Sequence, residues 1–248
     1  MTSITDVPIN ALDLTFGSPM SAERAQLLVD ELVEAAPQVV LDIGCGWGEL
    51  LLRALEAAPG ATGLGIDREA IDIERGRSLA HKRGLQDRVE FRVQDGTEFD
   101  EIGDALICLG AWHALGATPA EALKRLRGLT GPGGRLVFGV DHWAQLPDQQ
   151  RLSQMWEGAA LSDSHMLSEI VTAAAEADWR LIDLHEATQD EWNHFESRMV
   201  RNQELWLVEN PDHPEAEQLR SRLDSARHSW LTGHYGHMGF TTLVLVAA

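Results

Sequence analysis

Three glycines at alternate positions, Gly44, Gly46 and Gly48, follow the apolar run Val39-Val40-Leu41-Asp42-Ile43 and lead directly into Glu49-Leu50-Leu51-Leu52. Strand, glycine turn and helix in that order bring bare backbone against a nucleotide-like ligand, because glycine lacks a Cβ and tolerates positive φ. A dinucleotide-binding turn has the spacing G-x-G-x-x-G, and its third glycine would fall at Glu49 here. The chain has Gly44-x-Gly46-x-Gly48 instead, led by Asp42 inside the strand. A second acid, Asp67, ends the strand-like run Thr62-Gly63-Leu64-Gly65-Ile66. It stands about 20 residues beyond the turn, where a carboxylate can accept two hydrogen bonds from ribose hydroxyls.

The elements that would position these residues follow in order. Arg88-Val89-Glu90-Phe91-Arg92-Val93-Gln94 alternates like a half-buried strand and ends at Asp95-Gly96. Asp104-Ala105-Leu106-Ile107-Cys108-Leu109 is a nearly continuous apolar strand that runs into Gly110-Ala111. Leu129-Thr130-Gly131-Pro132-Gly133-Gly134 closes a helix and turns into Arg135-Leu136-Val137-Phe138-Gly139, a fifth strand. In this order, over roughly residues 38–141, the chain resembles the class I S-adenosylmethionine (SAM)-dependent methyltransferases.

The resemblance implies an α/β, Rossmann-like methyltransferase sheet, mostly parallel with the last strand antiparallel, with helices on both faces. It implies a cofactor site in which Asp42, Gly44, Gly46 and Gly48 meet the methionine part of SAM. Asp67 would hold the ribose, Asp95 the exocyclic amine of adenine, and Gly96 and Gly110 would complete the site. It also implies that the last strand inserts between the fifth and sixth.

A chain of 248 residues makes one large domain, or a core carrying an insertion, with a substantial hydrophobic core. No stretch of 18 apolar residues occurs, so no membrane span is expected. Residues 1–6 lack the basic and apolar regions of a signal peptide. Cys45 lies in the glycine turn and Cys108 in an apolar strand, positions that suit reduced thiols and a cytoplasmic location. The net charge of −19 repels phosphate backbones and speaks against a nucleic-acid substrate. The nearest basic cluster, Arg75, Arg77, His81, Lys82 and Arg83, falls on the helix after Asp67 and reads as an exposed face. The sequence leaves a homo-oligomer open.

Residues 10–20 are irregular, with Gly17-Ser18-Pro19 as a breaker. Ser21 caps a helix over 22–35 that Pro37 closes. Beyond the fifth strand, helices are expected at 148–157, 168–177, 191–209 and 215–231, and strands at 179–184 and 239–246. The domain organisation is therefore an N-terminal segment with a lid helix (1–37), a SAM-binding core (38–188), a helical substrate cap between strands six and seven (189–232), and the final core strand (233–248).

Methyl transfer from a sulfonium is an in-line displacement whose activation resides in SAM, so the protein chiefly aligns the acceptor and excludes water. A hydroxyl or a protonated amine would also need a base. Residues just past the fourth and fifth strands are the candidates: Trp112, His113, Asp141, His142 and Trp143. His113 and His142 are the candidate catalytic bases, although a histidine there can equally bond the adenosine or cap the next helix.

Eight tryptophans stand against one tyrosine. Trp112, Trp143, Trp192, Trp230 and Tyr235 are the candidate acceptor-binding residues, with helix-on-sheet packing as the competing use of such rings. Gly110-Ala111-Trp112-His113 occupies the place where methyltransferases of amide or nucleobase nitrogens carry Asn/Asp-Pro-Pro-Tyr. That difference counts against adenine or glutamine as acceptor. His234 and His237 are three apart in a glycine-rich turn without a matching Cys or carboxylate pair, so no metal is expected.

The sequence is read as a SAM-dependent methyltransferase acting on an O or N atom of a small organic molecule. A non-catalytic SAM- or S-adenosylhomocysteine (SAH)-binding regulatory or scaffold protein is the alternative, followed by a protein or tRNA methyltransferase.

Overall fold

The computed structural model describes Val7, Pro8, Ala11 and residues 13–248. The reading of residues 1–6 as lacking a signal peptide, and the parts of the irregular segment at residues 10 and 12, lie outside the described residues. Seven strands form one sheet: β1 (Val39–Ile43), β2 (Thr62–Asp67), β3 (Val89–Val93), β4 (Gly103–Leu109), β5 (Thr130–Trp143), β6 (Trp179–Glu186) and β7 (Met238–Ala247). Their spatial order is β3-β2-β1-β4-β5-β7-β6. All neighbouring pairs are parallel except those of β7, which runs antiparallel to both β5 and β6.

Helices α1 (Ala22–Val33), α2 (Glu49–Ala57) and α3 (Ala70–Lys82) bury their apolar stripes on one face of the sheet. On the other face, α4 (Pro119–Gly128) packs there with α6 (Leu167–Glu176), which follows the single turn α5 (Gln149–Leu152). Two helices, α7 (Gln189–Glu209) and α8 (Ala216–His228), are inserted between β6 and β7. The helix starts follow local chemistry. Ser21 accepts from the Arg24 N–H to cap α1, Thr118 caps α4 ahead of Pro119, and Thr188 and Glu191 form a reciprocal capping box on α7.

The order places β1 between β2 and β4, so the chain leaves the sheet in opposite directions on either side of the β1–β4 seam. Ligands of open α/β sheets bind at such a switch point, at the carboxyl ends of the strands. The packing beneath that point rests on Phe91. A Cβ on Gly48 would lie 2.4 Å from its ring, and one on Gly65 or Gly76 would lie 2.9 Å away. Three glycines vacate the space that one aromatic ring fills.

Several expectations change. β5 extends to Trp143 because β7 pairs with it all the way to Trp143↔Met238. The helix expected over 148–157 shrinks to α5, since Leu152 and Met155 turn inward around Trp143 and Gly158 takes φ +80°. α8 ends at His228, and Ser229–His234 follows as a π-helical turn. The basic cluster on α3 is not a uniformly outward face: Arg75 reaches the carbonyls of Ala11 and Leu14, and Arg77 that of Phe91. No described helix is long and apolar enough to cross a membrane.

Candidate functional site

The glycine turn is locked onto β2, because the N–H groups of Gly44 and Cys45 both donate to the Ile66 carbonyl at 2.9 Å. All three glycines are left-handed, with φ of 70°, 53° and 67°. Their reasons differ. A Cβ on Gly44 would lie 2.2 Å from the Ala111 Cβ, and Gly48 meets Phe91, so both serve close packing. A Cβ on Gly46 would meet nothing within 4 Å. Gly46 faces a cavity of about 350 Å³ at the carboxyl ends of β1, β2 and β4.

Asp42 lies at the floor of this cavity, buried and without a hydrogen-bond donor among the described residues. Burial, and then the negative charge of Asp67, hold its carboxyl well above the usual carboxylate range. Such a group calls for a cation, and the methionine end of SAM carries an ammonium and a sulfonium. Asp67 accepts the Gly46 N–H at 2.8 Å through Oδ2 and the Glu69 N–H at 2.9 Å through Oδ1. A carboxylate offers about four lone-pair sites, which leaves capacity for ribose hydroxyls. The open cradle at Gly46 and this donor-poor floor fit SAM.

Gln94, Gly96 and Gly110 also line the cavity. Asp95 does not. Thr97 donates to its Oδ1 from both its N–H and its hydroxyl, at 2.8 and 2.7 Å, which also lowers the Asp95 pKa. Gln94 and Gly96, on either side of Asp95, form the cavity wall where its adenine contact is expected. Burial and the neighbouring Asp42 push the Cys45 thiol far up, so it stays protonated and unreactive.

The sequence reading expects a lid within residues 1–37 but does not name the residues that reach the cavity. Phe16, Gly17 and Ser18 line the cavity, and Met199 reaches it from α7. Trp47 in the glycine turn donates to the Thr15 carbonyl at 2.8 Å. Arg75 donates to the Leu14 carbonyl at 2.7 Å and stacks 3.8 Å from the Trp47 ring centroid. The Ala11 N–H donates to the Met199 carbonyl at 3.0 Å. The only advance signal was a large indole inside a turn that otherwise favours small residues.

Among the expected catalytic and acceptor residues, His113 lines the cavity. Its ring meets Trp112 edge-on at 6.0 Å, and the Trp112 indole points its N–H at Asp141 Oδ1, 3.4 Å away. His142 is corrected. It is buried between β5 and β7, its Nε2 is 2.8 Å from the Thr241 hydroxyl, and it is not a cavity wall. Trp143 is corrected as well: it is 1 % exposed, packs with Leu152 and Met155, and donates to the Leu161 carbonyl.

Trp192 is half-buried on α7 against Phe195 and His234, Trp230 is half-buried, and Tyr235 is exposed. None of these three lines the cofactor cavity. His234 pairs with Glu196, whereas His237 donates to the Gln145 carbonyl, so the two imidazoles serve different partners.

Residues 36–198 match the family model described as a methyltransferase domain. The chain is 29 % identical over 211 residues to the uncharacterised protein YjhP of Escherichia coli, covering 84 % of each chain. The crystal structure of YjhP superposes with a TM-score of 0.83 and 26 % identity, over 95 % of this chain and 96 % of that one. A SAM-dependent methyltransferase from Geobacter sulfurreducens, crystallised with SAH, gives a TM-score of 0.83 at 25 % identity over 95 % of each chain. One from Thiobacillus denitrificans, also with SAH, gives 0.82 at 26 % identity over 95 % of each chain. An acid-led glycine turn at the switch point of this sheet, matched over most of the chain by proteins that hold SAH, makes the protein an enzyme of the class I SAM-dependent methyltransferase family.

Proposed function

We propose that the protein transfers the methyl group of SAM to an oxygen or nitrogen atom of a small organic acceptor. The observation that carries this reading is the lining: residues 16–18 and Met199 join the glycine turn around the cofactor cavity and leave it partly enclosed. A partly enclosed cavity suits a small acceptor, and a net charge of −19 disfavours one with a phosphate backbone. When bound, SAM supplies an activated methyl group for in-line displacement. The chain's own residues hold the donor at Asp42 and Asp67, exclude water from the cavity, and align the acceptor beneath α7 and α8, which act as the substrate cap. His113 is the histidine that reaches this space, as a cofactor contact or as the base.

The test is isothermal titration with SAM, SAH and NADH, on the wild type and on Asp67→Ala. SAM and SAH should bind and NADH should not. The variant should lose about 1.5–3 kcal/mol of cofactor affinity, as expected when hydrogen bonds to a charged group are removed. SAH formation is then followed with a small-molecule extract, with protein and with tRNA. Turnover with protein or tRNA alone would overturn the small-acceptor reading, and SAH binding without any turnover would point to a regulatory protein.

A further inference from the structure

A second cavity, of about 420 Å³, shares two walls with the cofactor cavity: Phe16 and Ser18 line both. The helix α7 runs past both as well. Glu191 and Phe195 line the second cavity, and Met199, one turn beyond Phe195, lines the first. Residues at i, i+4 and i+8 stay on one helix face. At 1.5 Å per residue, Phe195 and Met199 are about 6 Å apart along the axis. The two spaces therefore lie side by side along α7, with Phe16 and Ser18 as their common wall.

The lining decides what fits. Leu14, Phe16, Met20, Ala22 and Phe195 make an apolar wall with two aromatic rings. Two charged lining residues are already satisfied by the protein itself. Arg24 holds both Glu191 oxygens at 3.0 Å, and Arg53 donates to Glu49 at 2.8 Å while lying 5.1 Å from the Phe16 ring centroid. A charged ligand would lose its water there without gaining a counter-ion. Asp190 and His194 also line the cavity, and their exposure places them at its mouth.

The common wall carries one unmet polar group. Ser18 is 5 % exposed, and it has no hydrogen-bond partner among the described residues. A hydroxyl both donates and accepts, so it can meet a hydroxyl or an uncharged amine on a ligand in either space. A molecule whose rings fill the second cavity brings one such heteroatom to Ser18, at the edge of the cofactor cavity.

We infer that the second cavity is the acceptor pocket, and that it takes an uncharged, ring-bearing molecule with its hydroxyl or amino group at Ser18. This rests on the methyltransferase reading and adds the acceptor's place and chemical class. The heteroatom's lone pair forms the bond to the methyl carbon as the carbon–sulfur bond breaks to leave SAH, and the heteroatom's proton passes to water.

The experiment titrates SAH-saturated protein calorimetrically with 2-naphthol. The comparison compounds are 2-naphthoate and 2-naphthylmethylamine, which carry the same two rings with a negative and a positive charge. The naphthol should bind saturably and each charged compound at least about tenfold more weakly. Ala22→Trp places a ring in the cavity from an exposed position in the first turn of α1, so the fold should tolerate it. It and Phe195→Ala should each weaken the naphthol at least about tenfold with SAH affinity unchanged, since neither residue lines the cofactor cavity. Ser18→Ala should weaken it about fivefold, the loss of one hydrogen bond. The shared walls couple the two sites, so SAH should change naphthol affinity and the naphthol should change SAH affinity by the same factor. No saturable binding, or binding untouched by Ala22→Trp and Phe195→Ala, would overturn the pocket. Equal affinity with and without SAH would overturn its acceptor role, and a charged compound bound as tightly as the naphthol would overturn the chemical class. Failure of the methyltransferase reading shows separately, as a wild type that does not bind SAH.

Discussion

Arg24 in the first turn of α1 grips Glu191 in the first turn of α7, with its Nε on Oε1 and its Nη2 on Oε2, both at 3.0 Å. The same carboxylate accepts the Ser21 N–H at 2.9 Å, the Thr188 N–H at 2.8 Å and the Thr188 hydroxyl at 3.1 Å. One side chain thus serves two helix N-termini, each of which favours negative charge. It ties the segment that lines the cofactor cavity to the helix that carries Met199.

The pH dependence of this clasp follows from its bonds. Burial alone would raise the Glu191 pKa, but the hydrogen bonds from Arg24, Thr188 and Ser21 outweigh it and bring the value down to about 2. The folded value lies below the unfolded one of about 4.3. The stabilisation is therefore complete above the unfolded value and is lost as pH falls toward about 2. Glu191→Gln should cost about 1–2 kcal/mol at neutral pH, after allowance for solvent screening, and weaken SAH binding. Thermal melts of the two proteins should converge as pH falls below 3, and an equal deficit at every pH would refute the clasp.

The three glycines should separate stability from binding. Gly44→Ala and Gly48→Ala drive a methyl into Ala111 and Phe91, and should cost stability through overpacking as well as backbone strain, about 2–4 kcal/mol. Gly46→Ala meets open space and bears only the left-handed penalty, about 1–2 kcal/mol. Its methyl nevertheless projects into the cofactor cradle. Gly46→Ala should keep the smallest loss in Tm and show the largest loss in SAH affinity per unit of stability lost. Retained affinity would place the cofactor away from Gly46.

Asp42 should show the opposite trade. Its folded pKa lies above the unfolded value, so the empty protein loses stability as pH rises from about 3.8 toward the raised value. Asp42→Asn removes a charge that is costly to bury, so the empty variant should melt higher at neutral pH. It should also bind SAM about 1.5–3 kcal/mol more weakly. A cationic ligand favours the ionised carboxylate, so SAM affinity in the wild type should rise with pH, and binding should release a proton. Calorimetry in buffers of different ionisation enthalpy measures that proton, and its absence would remove Asp42 from contact with the cation.

The core was legible because its signals are local. Gly44 to Gly48, Asp67 and the 239–246 run announce turn, strand end and final strand through their own composition, and each occupies its expected place. The losses are tertiary. His142 and Trp143 read as loop residues past a strand end, but pairing with β7 carries β5 through both and turns them into the interior. Asp95 read as the adenine contact, and the sequence did not show that its Oδ1 also accepts twice from Thr97 two residues on. Which lid residues reach the cavity was hidden because the hydrogen bonds to 14–18 come from Trp47 and Arg75, which lie far along the chain.

His113 and His142 supply the sharpest contrast, since the sequence offers both as bases, His113 first. His142 is buried, and its bond to Thr241 joins β5 to β7. His142→Ala leaves that hydroxyl unpaired and should cost about 1–3 kcal/mol of stability with SAH affinity intact. His113 is exposed at the cavity, so His113→Ala should change stability by no more than about 0.5 kcal/mol. Its effect should fall on function. If the ring holds the adenosine, SAH affinity drops. If it takes a proton from the acceptor, kcat drops at unchanged SAH affinity and recovers partly at alkaline pH, where the acceptor ionises unaided. Unchanged SAH affinity together with unchanged kcat would remove His113 from the site.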